Sequence, residues 1–134
     1  MSTFHLKVVT PDGVYFDAMA EQLIVRTTTG DVGILAGHID FASALGMGRA
    51  VIVSEGQRRT ACCIGGVVSV IDNKVTLMPT TFEWSEHIDI DRAKASEIRA
   101  NSVINDKNAS VDEIRLAEAR LKRALVRKSV AETK

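Results

Sequence analysis

Apolar and polar residues alternate along the first part of the chain, and then the period changes. Phe4, Leu6 and Val8 are separated by His5 and Lys7, the period-two pattern of a strand with one buried face. Pro11-Asp12-Gly13 closes that run with turn chemistry: Pro presets φ, Asp bonds its own backbone and Gly takes positive φ. Leu23 and Val25 alternate in the same way until Thr29-Gly30-Asp31. Further runs predict strands over 32–35, 41–45, 49–54, 58–64, 67–71 and 74–81. Ala36-Gly37-His38, Gly46-Met47-Gly48, Glu55-Gly56 and Asp72-Asn73 punctuate them. About nine strands at intervals of roughly 8–12 residues, with no helical window among them, predict an antiparallel sandwich or barrel.

After Trp84 the period becomes helical. Asp89-Ile90-Asp91 opens a helix with acidic residues where the macrodipole favours them. Ile90, Ala93, Ala100 and Ile104 then repeat on one face, which Glu97 interrupts. Asn105-Asp106-Lys107-Asn108 suits a turn, and Ser110-Val111-Asp112-Glu113 is a capping box. Behind that box Ile114, Ala117, Leu121 and Leu125 form an apolar stripe. The expected fold is therefore a β plus α arrangement: an N-terminal antiparallel β-sandwich over 1–84, then a C-terminal αα-hairpin over 85–134. The hairpin's narrow, Ala-rich stripes bury little apolar area, so docking or ligand binding is expected to decide its conformation.

Composition narrows the function classes. The 134 residues are 46% hydrophobic and 25% charged, ordinary for a folded domain with room for a small appendage. Seventeen Lys and Arg balance seventeen Asp and Glu, which removes a nucleic-acid or membrane role driven by gross charge. One Trp, one Tyr and four Phe are too few for a single-strand stacking platform. No secretory signal is expected at the start, and no apolar run approaches the roughly 18 residues of a membrane span. Cys62 and Cys63 are strand neighbours that point to opposite faces, so they are poor partners for each other; one buried and one surface thiol in a reducing compartment is expected. His5, His38 and His87 are scattered, with no metal-ligand spacing. Gly65-Gly66 is no phosphate loop, and no Ser or Cys sits in a nucleophile elbow. Catalysis is not expected of this chain.

The even charge total hides an asymmetry. Residues 1–88 carry a net −3 and residues 89–134 a net +3, with +5 concentrated between Arg115 and Lys128. Arg92 and Arg99 lie two helical turns apart, and Arg123 and Arg127 lie one turn apart, so each pair shares a face. Folded antiparallel, the two helices can bring both pairs to one side. Guanidinium forks hold phosphate oxygens bidentately. Glu83 and Asp89 are candidates to accept hydrogen bonds from an exocyclic amine such as that of adenine. A solvated basic face with pairs to Glu118 and Asp112 is the competing reading of the same pattern.

Three stretches give the chain an end-to-end resemblance to the epsilon subunits of F-type ATP synthases. His5-Leu6-Lys7-Val8-Val9-Thr10-Pro11-Asp12-Gly13 resembles the family's first strand and turn. Gly30-Asp31-Val32-Gly33-Ile34-Leu35-Ala36-Gly37-His38 resembles its G-E-x-G-x-L-P-G-H loop, with Ala36 in place of the usual Pro. Ile88-Asp89-Ile90-Asp91-Arg92-Ala93 matches its I-D-x-x-R-A motif. The resemblance implies a non-catalytic central-stalk subunit of a proton-translocating ATP synthase. Its sandwich would bind the gamma subunit and the c-ring, and its helices would extend toward the alpha and beta subunits to inhibit ATP hydrolysis.

The same resemblance implies that the folded hairpin binds ATP as a regulatory ligand, with no obligatory cofactor. Carried over by position, the ATP-binding residues are Glu83, Ile88, Asp89, Arg92, Ala93, Arg99, Arg123 and Arg127. Asp31 and His38 fall where the family contacts its partners; for His38 a bond to its own loop is an equal alternative. The implied location is peripheral, at the cytoplasmic face of a bacterial membrane, without membrane insertion and without nucleic acid. A free-standing ATP-sensing module, with no permanent complex, is the alternative from another functional class.

Overall fold

The structure, a computed structural model, describes residues 2–132. It divides into two compact units, Met1–Trp84 and Ser85–Lys134. The first unit holds ten strands: β1 (Phe4–Thr10), β2 (Gly13–Ala20), β3 (Gln22–Thr27), β4 (Gly30–Leu35), β5 (Phe41–Ala44), β6 (Met47–Ser54), β7 (Gln57–Ile64), β8 (Val67–Ile71), β9 (Lys74–Met78) and β10 (Thr81–Trp84). They form two five-stranded sheets, ordered β2-β1-β9-β8-β5 and β10-β7-β6-β3-β4. The pairings are antiparallel, as expected, except that β1 runs parallel to β9. Inward residues at every second position, Phe4, Leu6 and Val8 of β1 and Leu23 and Val25 of β3, share one fully buried core with Val75 and Leu77 of β9.

Two differences from the expected strands have local causes. The sequence pattern does not mark β2, because only Ala20 of that strand is buried while Val14 and Met19 stand exposed at a sheet edge. The single run expected over 74–81 is two strands, β9 and β10, in different sheets. Pro79, between them, has no N–H to continue the ladder.

The sheet crossings are tied to one another. Leu45 N–H donates to the Gly66 carbonyl at 2.8 Å, Gly65 N–H to the Gly46 carbonyl at 3.0 Å, and Thr80 N–H to the Gly65 carbonyl at 3.3 Å. Gly66 is required there: its φ is +92°, and a Cβ would stand 2.0 Å from the Met78 carbonyl oxygen. Two hairpins close with left-handed residue pairs, Glu55-Gly56 (φ 54° and 74°) and Asp72-Asn73 (φ 50° and 64°). That is the two-residue geometry matching the strand twist.

The second unit starts with a 3₁₀ turn, Ser85–His87, followed by α1 (Ile90–Ile104) and α2 (Val111–Glu132), which pack on each other. Asp89 caps α1 by accepting the Arg92 N–H at 3.0 Å. The capping box forms as the sequence predicts: Glu113 N–H donates to Ser110 Oγ at 3.1 Å, and Ser110 N–H to Glu113 Oε1 at 3.3 Å. Ala93 and Ala100 of α1 and Ala117, Ala124 and Ala131 of α2 are buried, at seven-residue spacing along each helix. Glu97, which breaks the apolar stripe, is accommodated by an ion pair with Lys128 Nζ at 3.3 Å. Leu125 does not belong to the buried stripe; it is 44% exposed, and its neighbour Ala124 takes the inward position.

The cysteines also differ from expectation. Both are buried, and neither is in a disulfide among the described residues. Alternation sends Cys63 to the inter-sheet core and Cys62 to the opposite face of β7, but Thr60 through Ile64 are all buried, so that face gives no surface thiol. Burial, reinforced by the neighbouring Cys62, pushes the Cys63 thiol up to about 12.

Candidate functional site

The helical unit carries a groove built by its own two helices. Ser96, Arg99 and Val103 of α1 form one wall, at i, i+3 and i+7. Arg120, Arg123 and Arg127 of α2 form the other, with the same spacing, and Ala100 lies between them. This periodicity is that of a single helix face, so each wall is dictated by local structure. The groove measures about 480 Å³, within the range of small-ligand sites.

Its electrostatics are one-sided. Among the described residues, four guanidinium groups line it and no carboxylate does. Arg99 donates from Nη2 to Ser96 Oγ at 3.1 Å, which holds its fork along the wall. Glu97, beside Ser96 in sequence, is engaged by Lys128. Such a surface can hold a multiply charged phosphate chain through bidentate contacts. Among the described residues no group of three or more His, Cys, Asp or Glu side chains could hold a metal ion.

The candidate ATP-binding residues fall into three groups. Arg99, Arg123 and Arg127 come together in the groove. Ile88, Asp89, Arg92 and Ala93 mark the start of α1 and do not line it; Ile88 and Ala93 are buried, Arg92 is exposed, and Asp89 is engaged as the helix cap. Glu83 belongs to the sandwich unit, half-buried on β10 opposite Cys62. Four groove residues, the polar Ser96 and Arg120 and the apolar Ala100 and Val103, are absent from the set that the sequence suggested. The stripes 92-96-99-103 and 120-123-127 were the available signal.

In the sandwich, Asp31 sits opposite Arg26 in the β3–β4 pairing and takes its Nε at 2.9 Å, both side chains being exposed. His38 turns its Nδ1 to the Ile39 carbonyl at 2.8 Å and its ring toward Phe41 at 5.5 Å. Its loop is pinned from the β8–β9 turn: Asn73 Oδ1 accepts the Gly37 N–H at 2.7 Å, and Asp40 accepts the Asp72 N–H at 2.9 Å. Among the described residues no helix is long and apolar enough to cross a membrane.

Comparison with known proteins gives one consistent result over both units. Residues 3–85 match the beta-sandwich domain of the ATP synthase Delta/Epsilon chain, and residues 86–132 match the long alpha-helix domain of the same chain. The chain is 41% identical over 135 residues to an ATP synthase epsilon chain of Ruminococcus albus, covering 100% of each. It is 38% identical over 131 residues to one of Bacillus pumilus, covering 98% of each. Among solved structures, a chain of the Euglena gracilis mitochondrial ATP synthase superposes with a TM-score of 0.85 at 19% identity, over 96% of this chain and 81% of that one. A chain of the Tetrahymena thermophila mitochondrial ATP synthase central stalk and c-ring gives 0.66 at 14% identity, over 95% of each. These two likenesses concern the fold.

Proposed function

The chain belongs to the ATP synthase Delta/Epsilon chain family, and from that premise we propose that it is the epsilon subunit of the central stalk of a bacterial F-type ATP synthase. The observation that carries this reading is the unbroken correspondence of both units, in order, to epsilon chains of the same length. The subunit is non-catalytic. Its sandwich couples the gamma subunit to the c-ring, with Asp31 and His38 on the contacting surface. Its location is peripheral, at the cytoplasmic face of the membrane.

The helical unit is the regulatory part. Extended toward the alpha and beta subunits, its basic second helix, net +5 from Arg115 to Lys128, pairs with acidic surface there and brakes ATP hydrolysis. Folded, it binds ATP, with the groove arginines Arg99, Arg123 and Arg127 taking the phosphates. Ile88, Asp89, Arg92 and Ala93, at the start of α1, and Glu83 complete the site in this reading. Because ATP binds only the folded hairpin, it shifts the population away from the brake by its differential affinity.

The test is reconstitution. An F1 catalytic head retaining gamma but stripped of its own epsilon should bind the chain in a defined complex, and its ATP hydrolysis should fall several-fold. The inhibition should weaken as salt rises, because the braking contacts are charge pairs. A chain that neither joins the complex nor changes hydrolysis contradicts the assignment.

A further inference from the structure

We infer that Arg120 is a selectivity-determining residue of the hairpin groove, adding a fourth guanidinium that favours a triphosphate chain over a shorter one. The inference rests on the ATP reading above and names what sets its preference for chain length. Arg120 follows the same helical stripe as Arg123 and Arg127, three and seven residues before them, and lines the same groove. From Arg120 to Arg127 the helix advances about 10 Å. Flexible arginine side chains along such a span can engage successive phosphates of one extended chain.

Charge decides the preference. The groove wall presents four guanidinium groups and, among the described residues, no carboxylate, and a nucleoside triphosphate brings about four negative charges at neutral pH. Among the described residues no carboxylate pairs with Arg99, Arg120 or Arg123, so their forks are not already neutralised. Val103 and Arg120 are the groove residues nearest the loop that joins the helices. A chain of phosphates anchored by Arg99, Arg123 and Arg127 therefore reaches Arg120 only with its far end. A shorter chain leaves Arg120 in solvent and gains little from it. Arg120 is exposed and off the buried Ala93–Ala100–Ala117–Ala124 seam, so changing it does not disturb the packing of the hairpin.

The experiment is calorimetric titration of the full chain with ATP, ADP and inorganic tripolyphosphate, for the wild type, Arg120→Gln and Arg120→Lys, with helicity checked by circular dichroism. Arg120→Gln should weaken ATP and tripolyphosphate roughly tenfold, the low end for an exposed charge-assisted contact, and ADP by no more than about threefold. The ATP-to-ADP preference should therefore shrink, and Arg120→Lys should recover part of it by restoring the charge without the fork. If Arg120→Gln binds ATP with wild-type affinity and preference, the inference is overturned while ATP binding stands. If the wild type binds tripolyphosphate but not ATP, and Arg120→Gln loses it, the nucleotide reading fails and the role of Arg120 holds. If the wild type binds neither, both fall.

Discussion

At the scale of single residues, environment decides chemistry that residue type leaves open. Cys63 is a thiol by composition and a core residue by position, and burial raises its proton affinity from the ordinary 9.0 to about 12. Below about pH 9 the folded and unfolded chains both keep that proton, so the thiol adds no pH dependence there. Between 9.0 and about 12 only the unfolded chain ionises, and stability is lost as pH rises, by up to about 1.4 kcal/mol per pH unit. Urea unfolding at pH 8 and pH 10 should show a drop for the wild type that is smaller in Cys63→Ala; equal drops would contradict the burial argument. The sequence placed Cys63 beside Cys62 on a strand but could not show that both faces of that strand are buried, since alternation gives direction and not cover. The arginines were legible in part for a similar reason. Spacing revealed the pairs 92/99 and 123/127, whereas the membership of Arg120 required knowing which face of α2 meets Ser96 and Arg99.

Among the elements, those with strong local chemistry were read correctly. The Ser110–Glu113 box, the Asp72-Asn73 turn and the β1 alternation each appear where the residues demand them. Misreadings fall where tertiary context overrides local pattern. Strand β2 is an edge with a single buried residue, so it has no apolar stripe to detect. Leu125 lost its inward place to Ala124 because a close helix pair accepts small side chains at its seam. The double glycine at the β7–β8 crossing had no assigned role in the sequence; the structure gives Gly66 a packing one, against the Met78–Pro79 backbone. Gly66→Ala should therefore destabilise the sandwich by roughly 3 kcal/mol or more, from left-handed strain plus the clash. Thermal unfolding should register a fall on the order of 15 °C, and an unchanged midpoint would contradict the tight approach at this crossing.

For the whole molecule, the division of labour follows the division of charge. Residues 1–88, net −3, include the sandwich, a packed core with ladders and tied crossings. Residues 89–134, net +3, hold two helices joined by an alanine seam and lined with arginines. A seam built mainly of alanines buries little apolar area and stabilises the folded hairpin weakly, which leaves room for a phosphate ligand to decide between folded and extended forms. The central claim is that ATP holds this hairpin folded. Its most direct measurement is calorimetric titration of the full chain with ATP, beside Arg123→Ala and Arg127→Ala. One ATP per chain, weakened at least tenfold in each variant, is the result expected of charge-assisted phosphate contacts. A well-folded wild-type chain that binds no ATP, or variants that bind it as tightly as the wild type, would contradict the account.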